Sequence, residues 1–305
     1  MQNMKRAIVT GGAGFIGSTL VDKLIEQDVS VSVIDDFSTG RVENTNKLVY
    51  YWNRDISDID IDELTEFMKD VDVIFHTAAK ARVQPSIQDP LSFNKANVDS
   101  TLKILLAASR AGVKRVIYSA SSSCYGEATV LPTPETYQKN PLSPYGLQKY
   151  IGEEYCKMFS EVYGLDTCSL RYFNVYGERM VLDGAYKLVM GIFAKQLIDK
   201  KPLTITNDGT QRRDFTYVGD VVEANILAAN YSGKLNGESF NIGNGKNYSV
   251  NEVADMLGGE KTYGEKRLEP YETLADNTKA KNILGWSPKG DLTTWIKKYK
   301  KELGI

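Results

Sequence analysis

Residues 5–17, K-R-A-I-V-T-G-G-A-G-F-I-G, constrain this chain more than any other stretch. The apolar run Ala7, Ile8, Val9 ends at Thr10. Gly11, Gly14 and Gly17 follow at spacings of three, and an amphipathic stretch over 15–26 begins at once. The pattern is strand, tight turn, helix start. The first glycine permits the turn, the second lets the backbone approach a pyrophosphate, and the third lets the helix pack close to the strand. The N–H groups of the first helical turn and the helix dipole then face an anion. A second strand over 29–34 ends in Asp35, 18 residues after Gly17. An acid at that place accepts hydrogen bonds from the adenosine ribose and repels a 2′-phosphate, which points to NAD; Arg41 nearby leaves NADP as the alternative.

Composition excludes several classes. The 305 residues carry a net charge of −2, with a pI near 5.7, so no electrostatic case arises for nucleic acid or a membrane surface. The N-terminal M-Q-N-M-K-R lacks the apolar core of a leader, and no apolar run of 18 residues occurs, so neither a leader nor a membrane span is expected. Three cysteines, Cys124, Cys156 and Cys168, suit a reducing compartment and hence the cytoplasm. The single histidine, His76, rules out a His-rich metal site, and no metal is expected. It ends an apolar strand, where a structural role is the simpler reading. Proton transfer then falls to Tyr, Lys, Ser or a carboxylate.

Strands and helices alternate through the first half. After the polar turn Asp36, Phe37, Ser38, Thr39, Gly40 come a strand over 49–53 that runs into Asp55 and Ile56, a helix over 58–70 and a strand over 71–76. The small residues Ala78 and Ala79 and then Lys80 follow that strand, where a flat ligand can lie on the backbone. A helix over 90–111, which carries Asn97, and a strand over 113–119 complete the pattern. This alternation predicts a doubly wound parallel sheet with its ligand across the carboxyl ends of the strands. Beyond a strand over 165–171 the order loosens: helices are expected over 184–200, 220–230, 249–257 and 292–302, and strands over 203–206 and 238–242. Ser249 is expected to cap the third of those helices.

Ser119, Ser121, Ser122 and Ser123 cluster where the strand over 113–119 reaches the ligand edge. Pro144 suits the first turn of a helix running to residue 163, in which Tyr145 and Lys149 stand at i and i+4 on one face. A free phenol has a pKa of roughly 10. Bringing it to about 7 requires roughly 4 kcal/mol of differential stabilisation, which neighbouring cations in a desolvated site can supply.

These residues, with D-D-F-S-T-G, H-T-A-A, P-S-I-Q-D-P, S-S-S-C-Y-G, S-P-Y-G-L-Q-K, R-Y-F-N-V-Y-G and R-R-D-F-T-Y-V, make the chain resemble the extended short-chain dehydrogenase/reductases. Within them it resembles the NAD-dependent nucleotide-sugar 4-epimerases of the epimerase/dehydratase family. The resemblance implies an NAD-binding Rossmann domain, 1–177 plus about 214–245, and a smaller mixed α/β UDP-sugar lobe, about 178–213 plus 246–305. It implies Tyr145 as acid/base, Lys149 as its electrostatic helper and Ser121 as hydrogen-bond partner of the reacting oxygen. Ser122 and Ser123 would contact the sugar. For the cofactor it implies Gly11, Gly14, Phe15, Ile16, Gly17, Asp35 to Gly40, Asp55, Ile56, Ala78 to Lys80, Asn97, Ser119, Tyr145 and Lys149. Arg213 matches the family's pyrophosphate arginine and Asn174 its substrate asparagine; Val189, Phe193 and Leu203 would line the uracil. Two long helices, 90–111 and 144–163, would pair with their copies in a homodimer.

The implied reaction oxidises the sugar at C4 through a transient 4-keto sugar and returns hydride to the opposite face. The chain departs from the family's Arg-x-Gly-Glu element, having Lys266, Arg267, Leu268, Glu269, so either Lys266 or Arg267 would meet the diphosphate. The same alignment puts the small Thr273 in the sugar pocket. Together with G-A-Y at residues 184–186, this extends the expected substrates from UDP-glucose and UDP-galactose to UDP-GlcNAc and UDP-GalNAc. A 4,6-dehydratase or UDP-glucuronate decarboxylase is the alternative, but such enzymes carry an acid just after the catalytic Ser/Thr, where this chain has serines. A non-catalytic NAD-binding sensor is a further alternative, against which the intact Ser121, Tyr145 and Lys149 set argues.

Overall fold

Seven parallel strands form the central sheet in a computed structural model that describes residues 4–180, 189–265 and 269–304. Six of them are β1 (Arg6–Thr10), β2 (Ser30–Asp35), β3 (Tyr50–Asn53), β4 (Val73–His76), β5 (Arg115–Ser121) and β6 (Asp166–Tyr172). The seventh, Glu238–Ile242, extends the edge beside β6, so the spatial order is seventh, β6, β5, β4, β1, β2, β3. Strand order reverses between β1 and β4, where Thr10 pairs with both Ile34 and His76. Ligands of such sheets bind outside the carboxyl ends at this switch point.

Alternation along each strand feeds two cores. Ala7 and Val9 of β1 pack with Leu20, Val21 and Leu24 of helix α1 (Phe15–Ile25) and with the helix Val218–Ala229. Ile8 faces the other way, into a cluster with Leu64 of α2 (Ile61–Phe67). Burial of each such side chain contributes about 1.5–3 kcal/mol. The expected helix over 90–111 is present, but a single π-helical turn, Lys95–Asp99, divides it between α4 (Pro90–Asn94) and α5 (Ser100–Ala111). An unexpected short helix, α3 (Val83–Gln88), precedes it. Helix α6 (Pro144–Tyr163) starts as its sequence demands, with Pro144 in the first turn and the Ser143 hydroxyl accepting the Gly146 N–H at 3.1 Å.

The second lobe has its own core of Phe193, Leu203, Val253, Trp295 and Ile296, drawn from the helices Val189–Ile198, Val250–Leu257 and Leu292–Leu303 and from short strands. Ser249 caps the second of these helices through a reciprocal pair of bonds with Glu252. Inside the tract 246–305, Ala280, Leu284 and Trp286 leave the lobe and enter the first core, where the Trp286 indole N–H donates to the Asp220 carbonyl at 2.8 Å.

Candidate active site

A cleft of about 830 Å³ runs along the carboxyl edge of the sheet. Gly11 turns the chain at φ +69°, and a Cβ there would stand 2.8 Å from the Ala78 backbone. A Cβ on Gly17 would stand 2.2 Å from the Gly11 carbonyl oxygen, so only glycine lets α1 approach β1 this closely. Gly14 precedes α1 without a side-chain cap, and no acid occupies the first turn. The orphan N–H groups of that turn are therefore left to an outside anion. This cradle fits a pyrophosphate. Asp35, at the end of β2, accepts from the N–H groups of Ala13 and Phe37, both at 2.8 Å. Burial, acting first, pushes its carboxyl up against those two donors.

Of the expected cofactor residues, Gly11, Gly14 to Gly17, Asp35, Asp36, Ser38, Thr39, Asp55, Ile56, Ala78, Ala79, Lys80, Ser119, Tyr145 and Lys149 line the cleft. Phe37, Gly40 and Asn97 do not. The Phe37 ring turns to Tyr51, 6.2 Å between centroids, and Gly40 packs on the Asp35 carboxylate. Asn97, fully buried on the π turn, receives the Lys80 N–H at 2.8 Å, donates to the Lys80 carbonyl at 2.9 Å and donates to Gln148 of α6 at 3.0 Å. It shapes the loop after β4 and ties it to the helix that carries Tyr145.

Ser121, Tyr145 and Lys149 come together on the opposite wall. A Cβ on Gly146 would stand 2.8 Å from the Ser123 carbonyl oxygen, so glycine seats the start of α6 against the serine loop. The Ser121 hydroxyl accepts from Ser123 Oγ at 2.8 Å and from the Ser123 N–H at 3.2 Å, which leaves its own proton available to the Tyr145 phenol, whose pKa Ser121 pulls down. The Lys149 ammonium donates to the Ser119 carbonyl at 2.8 Å and lies over the Tyr118 ring at 4.8 Å; burial pushes its pKa down to about 7. Burial raises the Tyr145 phenol, while the Ser121 bond and the Arg82 charge pull it down. Arg82 is the cation that the sequence reading missed.

On the second-lobe side, Asn174, Arg213, Glu269 and Thr273 line the cleft. Arg213 pairs with Glu269 at 2.6 Å, and the Thr273 hydroxyl accepts from Asn174 at 3.5 Å and from the Asp214 N–H at 3.3 Å. The uracil residues are corrected: Phe193 and Leu203 are fully buried in the core of the lobe, and Val189 packs against that core, none of them lining the cleft. Apolar composition did not distinguish a ligand wall from a core. Lys266, Arg267 and residues 184–186 lie outside the described residues.

His76 is structural. Thr101 gives its hydroxyl proton to the Asn97 carbonyl, so it accepts from the His76 Nε2–H at 2.9 Å. Thr10, which accepts the Ala78 N–H, donates to Nδ1 at 2.8 Å. Burial pushes the imidazole down to about 3 from 6.5. Below pH 6.5 the unfolded chain takes up a proton that the folded one refuses, so stability is lost as pH falls. Between pH 7 and 5.5 this group accounts for about 1.2 kcal/mol. Asp214, raised to about 6, has the opposite slope as pH falls. Urea titrations of the protein and of His76→Asn separate the two, and the variant is expected to lack the loss. The same loss in the variant would remove His76 from the account.

A phenol, a serine and a buried lysine beside a dinucleotide cradle place the protein among enzymes of the short-chain dehydrogenase/reductase type. A family model for the NAD dependent epimerase/dehydratase family matches residues 7–243. A putative UDP-glucose 4-epimerase of Methanocaldococcus jannaschii is 42% identical over 299 residues, covering 95% of this chain and 96% of the relative. The solved UDP-glucose 4-epimerase of Thermotoga maritima, with UDP-glucose, superposes with a TM-score of 0.91 at 38% identity, covering 98% of this chain and 99% of that one. The UDP-N-acetylglucosamine 4-epimerase of Methanobrevibacter ruminantium M1, in complex with UDP-N-acetylmuramic acid, gives 0.90 at 34% identity, covering 99% and 100%. The chain belongs to the NAD-dependent epimerase/dehydratase family, and NAD is its cofactor.

Proposed function

We propose that this protein is a UDP-hexose 4-epimerase that interconverts UDP-glucose with UDP-galactose and UDP-GlcNAc with UDP-GalNAc. The observation that carries this reading is the meeting of Tyr145, Ser121 and Lys149 on one wall of the cofactor cleft. NAD, held in the cradle of Gly11, Gly14 and Gly17 with Asp35, would supply reversible hydride transfer at the sugar C4. Tyr145 takes the proton of the 4-hydroxyl and later restores it. With Ser123 donating to its oxygen, Ser121 has its own hydroxyl proton to give to the Tyr145 oxygen, which would stabilise the phenolate. Lys149, anchored on Ser119, keeps two further N–H donors for the cofactor's ribose and the phenol. In this division of labour, 1–177 plus about 214–245 holds NAD, and the remainder grips UDP through Arg213, with Asn174 of the first domain reaching the substrate from the shared cleft.

Elimination of water would call on a carboxylic acid beside the sugar to move the proton. Among the described cleft residues near Tyr145, positions 119–123 and 172–175 provide none. Small Thr273, and the likeness to one relative named for UDP-glucose and another named for UDP-N-acetylglucosamine, support the wider substrate range. The test is incubation with UDP-glucose and with UDP-GlcNAc, without added cofactor, followed by mass spectrometry and chromatography. Isomers of unchanged mass are expected from both. Loss of water or carbon dioxide would establish the lyase reading, and turnover of UDP-glucose alone would remove the N-acetyl sugars.

Ile87, Leu91 and Leu147 are exposed on the neighbouring helices α3, α4 and α6. Apolar exposure of that kind supports a homodimer built on these helices, which light scattering decides. Three free, buried cysteines support a cytoplasmic location. Among the described residues no helix is long and apolar enough to cross a membrane.

A further inference from the structure

Residues 269–273 form a strap that links the two walls of the cleft and contributes Glu269, Pro270 and Thr273 to its lining. On the second-lobe side the strap is fastened to the short strand Arg212–Asp214. The Arg212 N–H donates to the Tyr271 carbonyl at 2.8 Å, and the Thr273 N–H donates to the Arg212 carbonyl at 3.1 Å. Arg213 adds a bond to the Tyr271 carbonyl at 3.2 Å beside its pair with Glu269. On the other side the strap is held by a residue that stands outside the cleft lining. Both carboxylate oxygens of Glu127 accept the Tyr271 N–H, at 2.8 and 3.1 Å, across 144 residues of sequence.

Glu127 is itself rigidly placed. It follows directly on the serine loop, where the Tyr125 N–H closes on the Ser122 carbonyl at 3.1 Å and Gly126 takes φ +66°. A Cβ on Gly126 would stand 2.0 Å from the Asn140 carbonyl oxygen, so only glycine lets the chain turn here. The buried Tyr125 hydroxyl accepts from Arg171 of β6 and donates to Asn241 of the seventh strand, both at 2.7 Å. Further along the same loop, the buried Thr133 donates its N–H to the Leu274 carbonyl at 2.8 Å and accepts the Asp276 N–H at 3.0 Å. The wall that carries Ser121 and the strap that carries Thr273 are therefore joined at two points, Thr133 at the buried end and Glu127 at the exposed Tyr271. Apart from single bridges at Glu272 and Ala275, the strap has no strand or helix of its own to fix it. An N–H bond to a carboxylate is charge-assisted. A wall segment ordered before the ligand arrives spares the binding step the cost of ordering it.

We propose that Glu127 is a positioning residue for the nucleotide sugar, which acts by holding the strap so that Glu269, Pro270 and Thr273 face the cleft before the ligand enters. This rests on the UDP-sugar reading above. The test compares wild-type protein with Glu127→Ala and Glu127→Gln, all NAD-loaded, by calorimetric titration with UDP and by steady-state kinetics with UDP-glucose. In Glu127→Ala the Kd for UDP and the KM for UDP-glucose are expected to rise about 3- to 10-fold. Glu127→Gln keeps an acceptor oxygen and is expected to lie in between. Because Glu127 is exposed and the wall of Ser121, Tyr145 and Lys149 is untouched, kcat, bound NAD and melting temperature are expected to match wild type. Unchanged Kd and KM in Glu127→Ala overturn the proposal. So does a rise accompanied by an equal fall in kcat or by loss of NAD, since that marks a general disturbance of the fold. Wild-type protein that binds UDP yet isomerises no UDP-sugar overturns the epimerase reading alone, and the UDP titrations still decide the role of Glu127. Wild-type protein that binds no UDP overturns both.

Discussion

Tyr145→Phe is expected to lower turnover at least about a hundredfold while leaving the fold and NAD binding intact. The size follows from removing a general acid/base, which is worth about 10²–10⁴ in rate. The substitution is clean because it deletes one oxygen. The ring keeps its place at the head of α6, where the backbone N–H is held by Ser86 at 3.1 Å. Ser121 keeps its two bonds from Ser123 and loses only the phenol. The missing interaction acts on the transferring proton rather than on the resting sugar, so kcat and kcat/KM should fall together with KM little changed. Steady-state kinetics with UDP-glucose, and cofactor content after gel filtration, provide the check. Retention of more than a tenth of the wild-type kcat would take Tyr145 out of the chemistry.

The second large effect concerns stability. Glu153→Ala is expected to cost about 3–5 kcal/mol, because it strands a buried guanidinium. Glu153 on α6 and Arg171 on β6 are both almost fully buried and form a two-pronged pair, one prong Arg171 Nε to Glu153 Oε2 at 2.8 Å. Arg171 also donates to the Tyr125 hydroxyl at 2.7 Å, which in turn donates to Asn241 at 2.7 Å on the seventh strand. With Glu153 gone, those neutral acceptors do not balance the charge. The double variant Glu153→Leu with Arg171→Met should recover much of the loss, since a well-packed apolar pair replaces a buried ion pair at little cost. Guanidinium unfolding of the three variants measures this, and a loss below about 1 kcal/mol in Glu153→Ala would mean that water reaches the pair. Residue 153 lies about 12 Å along the helix axis from Tyr145. The pair therefore clamps onto the sheet the helix that presents the phenol.

Tyr145 and Lys149 were legible because one turn of helix stacks them whatever the rest of the chain does, and Pro144 marks where that helix starts. Asp35 and the glycines were legible because strand, turn and helix are contiguous. Phe193 and Leu203 were misplaced because apolar residues mark burial without saying in what. Arg82 escaped notice because its unusual backbone, at φ +126°, is fixed from outside, where Ser86 holds the Tyr145 N–H and Asn97 holds Lys80. The pairing of Arg213 with Glu269 joins residues 56 apart and has no local signature. The entry of Trp286 into the first core also falls inside the tract 246–305, which the family resemblance assigns to the second lobe.

By itself, the order of residues determined the doubly wound sheet, the dinucleotide cradle and the stacking of the Tyr145 phenol one turn from Lys149, since each depends on periodicity or on neighbours within a few positions. Tertiary structure alone decided which cations reach that phenol, which apolar side chains face ligand rather than core, and what holds α6 in place. Those depend on distances between segments far apart in the chain, and in a buried site a few ångströms of separation set the strength of a charge.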